Sequence, residues 1–193
     1  MNQAAPLPPR RRVLVLGSTG SIGTSALKVW REMPERMEIV GLAANQSVET
    51  LVRQAIETGV RHAAFTDAQA AAKARALLPP DVTVHEGAQG LVDLVRATGA
   101  DLVLIAIVGV GGLAPALAAI EDGRHLAVAS KEILVMAGEA VMEAARRRGV
   151  HVLPVDSEPN AIFQCLEGRG AGEVRRLLLT ASGGPFRTLP ASE

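Results

Sequence analysis

At 193 residues the chain has room for one large domain, or for one domain and part of another, and 48% apolar residues are ample for a core. Twenty basic residues balance twenty acidic ones with no long basic run, which argues against a nucleic-acid partner. The single cysteine, Cys165, excludes an internal disulfide and suits a reducing cytoplasm. With no histidine near it in sequence, Cys165 reads as a buried small hydrophobe.

Residues 1–12 are Pro-rich and read as a disordered tail, with Arg10, Arg11 and Arg12 as an inert cationic end. The apolar run after Arg12 is too short for a signal peptide. Residues 13–16 form a short β-branched strand bounded by glycine. Gly17, Gly20 and Gly23 follow at a spacing of three, and residues 21–33 read as a helix stopped by Pro34. Strand, glycine turn and helix start is the arrangement that binds a pyrophosphate. Glycine takes positive φ cheaply, and its missing side chain lets backbone approach the phosphates. Helix N–H groups and the helix dipole then face the anion. Ser18, Thr19 and Ser21 add hydroxyl donors, with Ile22 in the same turn. A glycine-rich βα turn without a ligand is the alternative.

The second strand, 38–44, runs into Asn45, Gln46 and Ser47. In a dinucleotide fold this strand end meets the adenosine ribose, where an acid favours NAD and polar or basic groups favour NADP. Polar donors with no acid before Glu49 lean to NADP, and an Asn/Ser helix cap is the alternative. A helix over 48–57 closes at Gly59, and a strand covers 61–65. Asp67 caps an Ala-rich helix to about residue 78, stopped by Pro79 and Pro80. A strand over 82–85 and a helix over 91–98 follow. Residues 102–120 carry no charge, long enough for a membrane span, but Gly109, Gly111, Gly112 and Pro115 interrupt them. They read as a buried strand, 101–107, then a glycine loop and a helix over 113–121, so no membrane partner is expected. A strand over 125–129, a helix over 133–148, a strand over 151–155, a helix over 160–166 and a strand over 174–180 complete the chain. This alternation is the signature of parallel βαβ units in a Rossmann-like, doubly wound α/β sheet.

Three further strand ends carry chemistry. Ser130, Lys131 and Glu132 lie at the carboxyl edge, where open α/β sheets bind ligands. Lys131 suits a substrate oxygen or a cofactor; equally, Lys131 and Glu132 make a solvated pair. Asp156 and Glu158, flanking Ser157, are oxygen donors suited to Mg²⁺ or Mn²⁺, needing a third ligand from elsewhere. A helix cap is the commoner use of such residues. Thr180, Ser182, Gly183 and Gly184 offer a hydroxyl and backbone N–H to a phosphate, or form an ordinary turn.

Five segments together resemble the 1-deoxy-D-xylulose 5-phosphate reductoisomerase family: GSTGSIG (17–23), AIVGVGGLAPALAAI (106–120), SKEILV (130–135), LPVDSEPNAIFQCL (153–166) and LLLTASGGPFR (177–187). The resemblance implies an NADPH-dependent enzyme that uses Mg²⁺ or Mn²⁺ and forms 2-C-methyl-D-erythritol 4-phosphate from a phosphorylated sugar in non-mevalonate isoprenoid synthesis. It implies cofactor contacts from Gly17, Ser18, Thr19, Gly20, Ser21, Ile22, Gly23, Asn45, Gln46, Ser47, Ser130 and Glu132. It implies metal ligation by Asp156 and Glu158, which displaces the cap reading there. Lys131, Ser157, Glu158 and Ser182 are implied at the substrate, with Lys131 and Glu158 catalytic. Residues 13–150 become the NADPH-binding domain and 151–193 the start of an α+β catalytic domain. A homodimeric, cytoplasmic full-length enzyme follows by the same resemblance.

The sequence departs from that family's pattern in four places. Ser130 replaces an Asn, Ile133 a small residue and Pro159 a His or Gln, while Gln46 stands where a base is common. The family's third carboxylate ligand, flexible loop and C-terminal helical domain are not found in these 193 residues, so this chain alone is expected to be inactive. Another NAD(P)-dependent dehydrogenase, or a non-catalytic nucleotide-binding remnant, are the competing readings.

Overall fold

The computed structural model describes residues 10–179. The chain divides into two compact units at the Leu153–Pro154 bond. In the first, strands and helices alternate as β1 (Arg11–Leu16), α1 (Ser21–Glu32), β2 (Met37–Ala44), α2 (Val48–Thr58), β3 (His62–Phe65), α3 (Ala68–Arg75), β4 (Thr83–Glu86), α4 (Gly87–Thr98) and β5 (Leu102–Ile105). A 3₁₀ turn (Gly109–Gly112), α5 (Leu113–Glu121), β6 (His125–Val128), α6 (Lys131–Arg148) and β7 (Val152–Pro154) follow. The sheet order is β4-β3-β2-β1-β5-β6-β7, with parallel pairing from β4 through to β6. This is the Rossmann-like, doubly wound fold. The chain winds outward from β1 to β4, then crosses back to place β5 on the other side of β1. The carboxyl ends of β1 and β5 therefore diverge at a topological switch point, the crevice where such sheets take ligands.

Burial explains the apolar strands. Leu14, Val15 and Leu16 of β1, and Val103 and Ile105 of β5, are fully enclosed because helices cover both faces. With few aromatics available, Leu, Val, Ile and Ala fill the core, and Phe65 is the one aromatic among the largest fully buried side chains. Each Leu, Val or Ile so buried contributes about 1.5–3 kcal/mol on leaving water, and each Ala less.

Several expectations need correction. The strand β1 starts at Arg11, so Arg12 is no loose tail: its guanidinium donates to Thr98 O and Gly99 O, both at 2.8 Å, capping the C-terminus of α4. Helix α4 begins at Gly87, a turn before the expected start. Gly90 is used there for packing, since a Cβ would lie 3.0 Å from the His85 carbonyl carbon. Helix α6 takes in Lys131 and Glu132 and breaks at Ala137 (φ −137°, ψ 21°), beside Gly138, a discontinuity no sequence period reveals. The uncharged stretch 102–120 is divided among β5, the 3₁₀ turn and α5, and among the described residues no helix is long and apolar enough to cross a membrane.

The second unit contains α7 (Ser157–Leu166) and a 3₁₀ turn (Ala171–Glu173). Cys165 is exposed, not buried, because α7 encloses none of its residues. The expected strand over 174–180 is irregular through 179, with Leu178 at 77% exposure. A strand needs a neighbour to take its backbone hydrogen bonds, and none pairs with it among the described residues. Thr180, Ser182, Gly183 and Gly184 lie outside the described residues.

Candidate functional site

The three motif glycines answer three different constraints. Gly17 has φ +92°, and a Cβ there would sit 2.3 Å from Ala106 O, so the end of β1 turns directly against the end of β5. Gly23 lets α1 press on the loop: a Cβ would lie 2.2 Å from Gly17 O and 2.5 Å from Ser18 Cα. Gly20 is extended (φ −79°, ψ 176°), and the nearest atom to its would-be Cβ is Gly17 O at 3.5 Å. Positive φ is thus needed at Gly17 alone, and the fold itself has room for a side chain at Gly20. Gly20 N-caps α1 with no side-chain cap, and no acid occupies the first turn. The positive end of the helix faces outward beside bare backbone, which suits an anion.

Ser18 corrects the expectation of a hydroxyl donor. It is fully buried, its Oγ donates to Gln54 Oε1 at 2.7 Å, and Gln54 Nε2 donates to Ser18 O at 3.0 Å. The N–H groups of Gly17 and Ser18 both donate to Ala43 O. Thr19 and Gly20 instead line a cleft of about 520 Å³ with Asn45, Thr66, Ala106 and Ile107. Leu91 of α4 and Val108 supply apolar wall. The stretch after β5 and Thr66 after β3 were not singled out as site residues; their signal was position, each following a strand at the carboxyl edge. A larger hollow in the second unit is more open and bordered by Leu166, Arg169, Val174, Arg175, Arg176 and Leu177; it lies at no strand end of the sheet, so the glycine cleft is the better site.

At the end of β2, Asn45, Gln46 and Ser47 are exposed. Thr66 Oγ1 donates to Asn45 Oδ1 at 2.7 Å, and Ser47 stands at the N-cap of α2 without making a capping bond. Asp67 caps α3 as expected, accepting from Ala70 N–H at 2.7 Å, while its other oxygen faces Gln46 Nε2 at 3.4 Å. Lys73, a turn further along α3, borders the same depression of about 260 Å³. It is a base that the strand end itself lacks, and α3 periodicity was the only signal for it.

Ser130 is buried, with its hydroxyl 2.9 Å from Glu132 Oε2 and 3.2 Å from Gly109 O. It thereby ties the 3₁₀ loop to the start of α6. Glu132 is exposed, and its carboxyl is held below the usual range by its own backbone N–H at the helix start, then by the Ser130 hydroxyl. Ile133 is fully buried under the loop, where a Cβ on Gly112 would meet its Cδ1 at 2.8 Å. Lys131 is exposed at the first position of α6.

In the second unit Asp156 is the N-cap residue of α7 yet makes no capping hydrogen bond with its side chain. Ser157 opens the helix and Glu158 lies in its first turn. Asn160, not singled out from sequence, fastens this start: Nδ2 donates to Pro154 O at 2.8 Å and its N–H to Asp156 O at 2.9 Å. The donors suit a hard cation, but among the described residues no three His, Cys, Asp or Glu groups come together to hold one. Ser182 lies outside the described residues.

Sheet order, switch-point cleft and glycine turn define a Rossmann-like α/β protein whose cleft opens at the carboxyl edge of β1, a setting that suits an anion. The description of the 1-deoxy-D-xylulose 5-phosphate reductoisomerase family matches residues 13–138, and that of the same family's C-terminal domain matches residues 152–193. The chain belongs to this family. It is 46% identical over 177 residues to the 1-deoxy-D-xylulose 5-phosphate reductoisomerase of Thermoanaerobacter sp., covering 92% of this chain and 46% of that protein. A solved reductoisomerase from Zymomonas mobilis in complex with NADPH superposes with a TM-score of 0.84 at 41% identity, over 94% of this chain and 48% of the other. A further reductoisomerase structure, with NADPH, fosmidomycin and magnesium, superposes with a TM-score of 0.75 at 38% identity, over 82% of this chain and 39% of the other. The chain spans about half the length of the curated relatives it matches.

Proposed function

We propose that this chain forms the cofactor half, and the start of the catalytic half, of an enzyme that converts 1-deoxy-D-xylulose 5-phosphate to 2-C-methyl-D-erythritol 4-phosphate with NADPH and Mg²⁺ or Mn²⁺. The observation that carries this is Gly20, bare backbone at a helix N-terminus with no need for glycine in the fold itself. The NADPH in the Zymomonas mobilis relative supports the same cofactor here.

Gly17, Thr19, Gly20, Ser21, Ile22 and Gly23 form the phosphate turn; Ser18 contributes through its backbone. Asn45, Gln46 and Ser47 meet the ribose 2′-phosphate, with Lys73 adding positive charge and Asp67 opposing it. Glu132, kept ionised at the start of α6, accepts hydrogen bonds from the cofactor, and Ser130 orients it. NADPH when bound supplies the hydride. Lys131, Ser157, Glu158 and Ser182 bind the sugar phosphate, and Lys131 and Glu158 serve catalysis there. Asp156 and Glu158 hold the divalent ion, which when bound orients the substrate oxygens. A homodimer is proposed from family membership, and a cytoplasmic location from the single-cysteine composition.

The test is titration of the 193-residue chain with NADPH, followed by fluorescence, and then assay with substrate and Mn²⁺. We expect saturable NADPH binding without turnover, because among the described residues no third His, Cys, Asp or Glu joins Asp156 and Glu158, and two carboxylates hold a cation weakly. Absence of NADPH binding overturns the cofactor reading, and substrate-dependent oxidation of NADPH overturns the expectation of inactivity.

A further inference from the structure

Buried polar side chains are few in this protein: Ser18, Gln54, Thr98 and Ser130 among the described residues. Thr98 bonds within its own helix and Ser130 steadies the loop above α6. Ser18 and Gln54 differ, because 36 residues separate them and they join α2 to the glycine turn. A buried primary amide is costly unless both ends are satisfied. Gln54 has both ends satisfied by one residue: Oε1 accepts from the Ser18 hydroxyl at 2.7 Å, and Nε2 donates to the Ser18 carbonyl at 3.0 Å. An apolar side chain would fill the space without that desolvation, so the amide is there for what it orients.

What it orients follows from peptide geometry. No peptide bond in the described chain is cis. In a trans peptide the C=O and the following N–H point in opposite directions. With Ser18 O fixed inward on Gln54, the Thr19 N–H points the other way, outward from the core. Thr19 and Gly20 line the cleft, and among the described residues the Thr19 N–H has no acceptor. The Ser18 N–H is fixed separately on Ala43 O. Ser18 is thus fastened at all three polar groups, and the next peptide is presented.

We propose that Gln54 is a positioning residue for the cofactor turn: by holding the Ser18 carbonyl it aims the Thr19 N–H at a phosphate of the dinucleotide. This rests on the reading of the cleft as an NADPH site. Gln54 touches no ligand and acts through the backbone. The carbonyl contact matters for aim, while the hydroxyl contact serves to complete the amide's hydrogen bonding.

The experiment is calorimetric titration of the full 193-residue chain and its variants with NADP⁺ and, separately, with 2′-AMP, which carries the 2′-phosphate but no pyrophosphate. For Gln54→Met we expect NADP⁺ affinity to fall at least tenfold and 2′-AMP affinity to stay within twofold. In Gln54→Glu the ionised carboxylate repels the carbonyl, whereas the protonated acid donates to it. Relative to the parent at each pH, its NADP⁺ affinity should therefore recover as pH falls from 8 to 5.5, which decides the matter if Gln54→Met does not fold. Unchanged NADP⁺ binding by Gln54→Met, equal loss of both ligands, or a flat profile for Gln54→Glu overturns the proposal. Failure of the parent chain to bind either ligand instead removes the cofactor reading, and this inference with it.

Discussion

Gly17 and Gly20 stand three residues apart and have opposite dependence on their surroundings. A methyl group on Gly17 would collide with backbone across the sheet at positive φ, so Gly17→Ala should lower the melting temperature sharply. Gly20→Ala has room and ordinary backbone angles, and alanine at an N-cap costs about 1 kcal/mol relative to glycine, so its melting temperature should fall by only about 2–4 °C. Its NADPH affinity should drop tenfold or more, about 1.4 kcal/mol. Equal NADPH binding by Gly20→Ala would show that the exposed backbone there is not at the phosphate. Lys73 makes a narrower point about the ribose. With Gln46 neutral and Asp67 beside it, Lys73 is the cation bordering the depression. Lys73→Met should weaken NADPH several-fold and leave NADH within twofold, as read by competitive titration; equal effects on both would remove Lys73 from recognition of the 2′-phosphate.

Elements are held by ties that local pattern does not show. Arg12 begins in a basic run that looks like a solvated tail, yet it crosses to the end of α4 and meets Thr98 O and Gly99 O, while its own N–H reaches Asp101 Oδ2 at 2.8 Å. Replacing it with Met keeps the stem and removes the charge at the helix C-terminus, so Arg12→Met should cost about 1 kcal/mol in urea unfolding. Leu14→Ala, at a fully buried position in the central strand, should cost about 2–5 kcal/mol by the same measurement. If Arg12→Met proves neutral, the guanidinium contact is not a structural tie. The elements themselves were largely legible because period and punctuation agree: Asp67 does cap α3, and Gly59, Gly99 and Gly149 each close a helix in the left-handed conformation. The break at Ala137 was not legible, since an isolated glycine such as Gly138 is tolerated within a helix and the residues beyond it resume good helix formers.

Across the whole molecule, all four histidines occur as two pairs bridging neighbouring strands toward the two flanks of the sheet. His62 Nδ1 and His85 Nε2 are 3.3 Å apart between β3 and β4, so one proton serves both. On the other flank His125 Nδ1 accepts the His151 N–H at 3.0 Å and must be neutral to do so. Burial lowers the pKa of His62, His85 and His125 from 6.5; the partner imidazole adds to it at His85 and His125, Arg11 adds at His125, and Asp93 and Asp101 work against it. The unfolded chain therefore binds more protons in this range. Stability is complete above pH 6.5 and falls as pH drops below it toward the folded values. The melting temperature should decline between pH 7.5 and 5.5, and His85→Gln should flatten part of that decline; a slope unchanged by the substitution would place its origin elsewhere.

The order of strands and helices as far as α7, the glycine turn after β1 and the family itself were determined by the sequence alone, because each rests on local periodicity, turn chemistry or contiguous motifs. Tertiary structure decided what depends on residues far apart in the chain. It turned the Ser18 hydroxyl inward to Gln54, gave Arg12 a helix end to cap, and brought Lys73 beside Gln46. It also left Cys165 exposed, because a helix face becomes buried only when another element packs against it. A side chain's identity is local, whereas its neighbours are set by how the sheet is wound, and that is why the cleft had to be seen for its donors to be assigned.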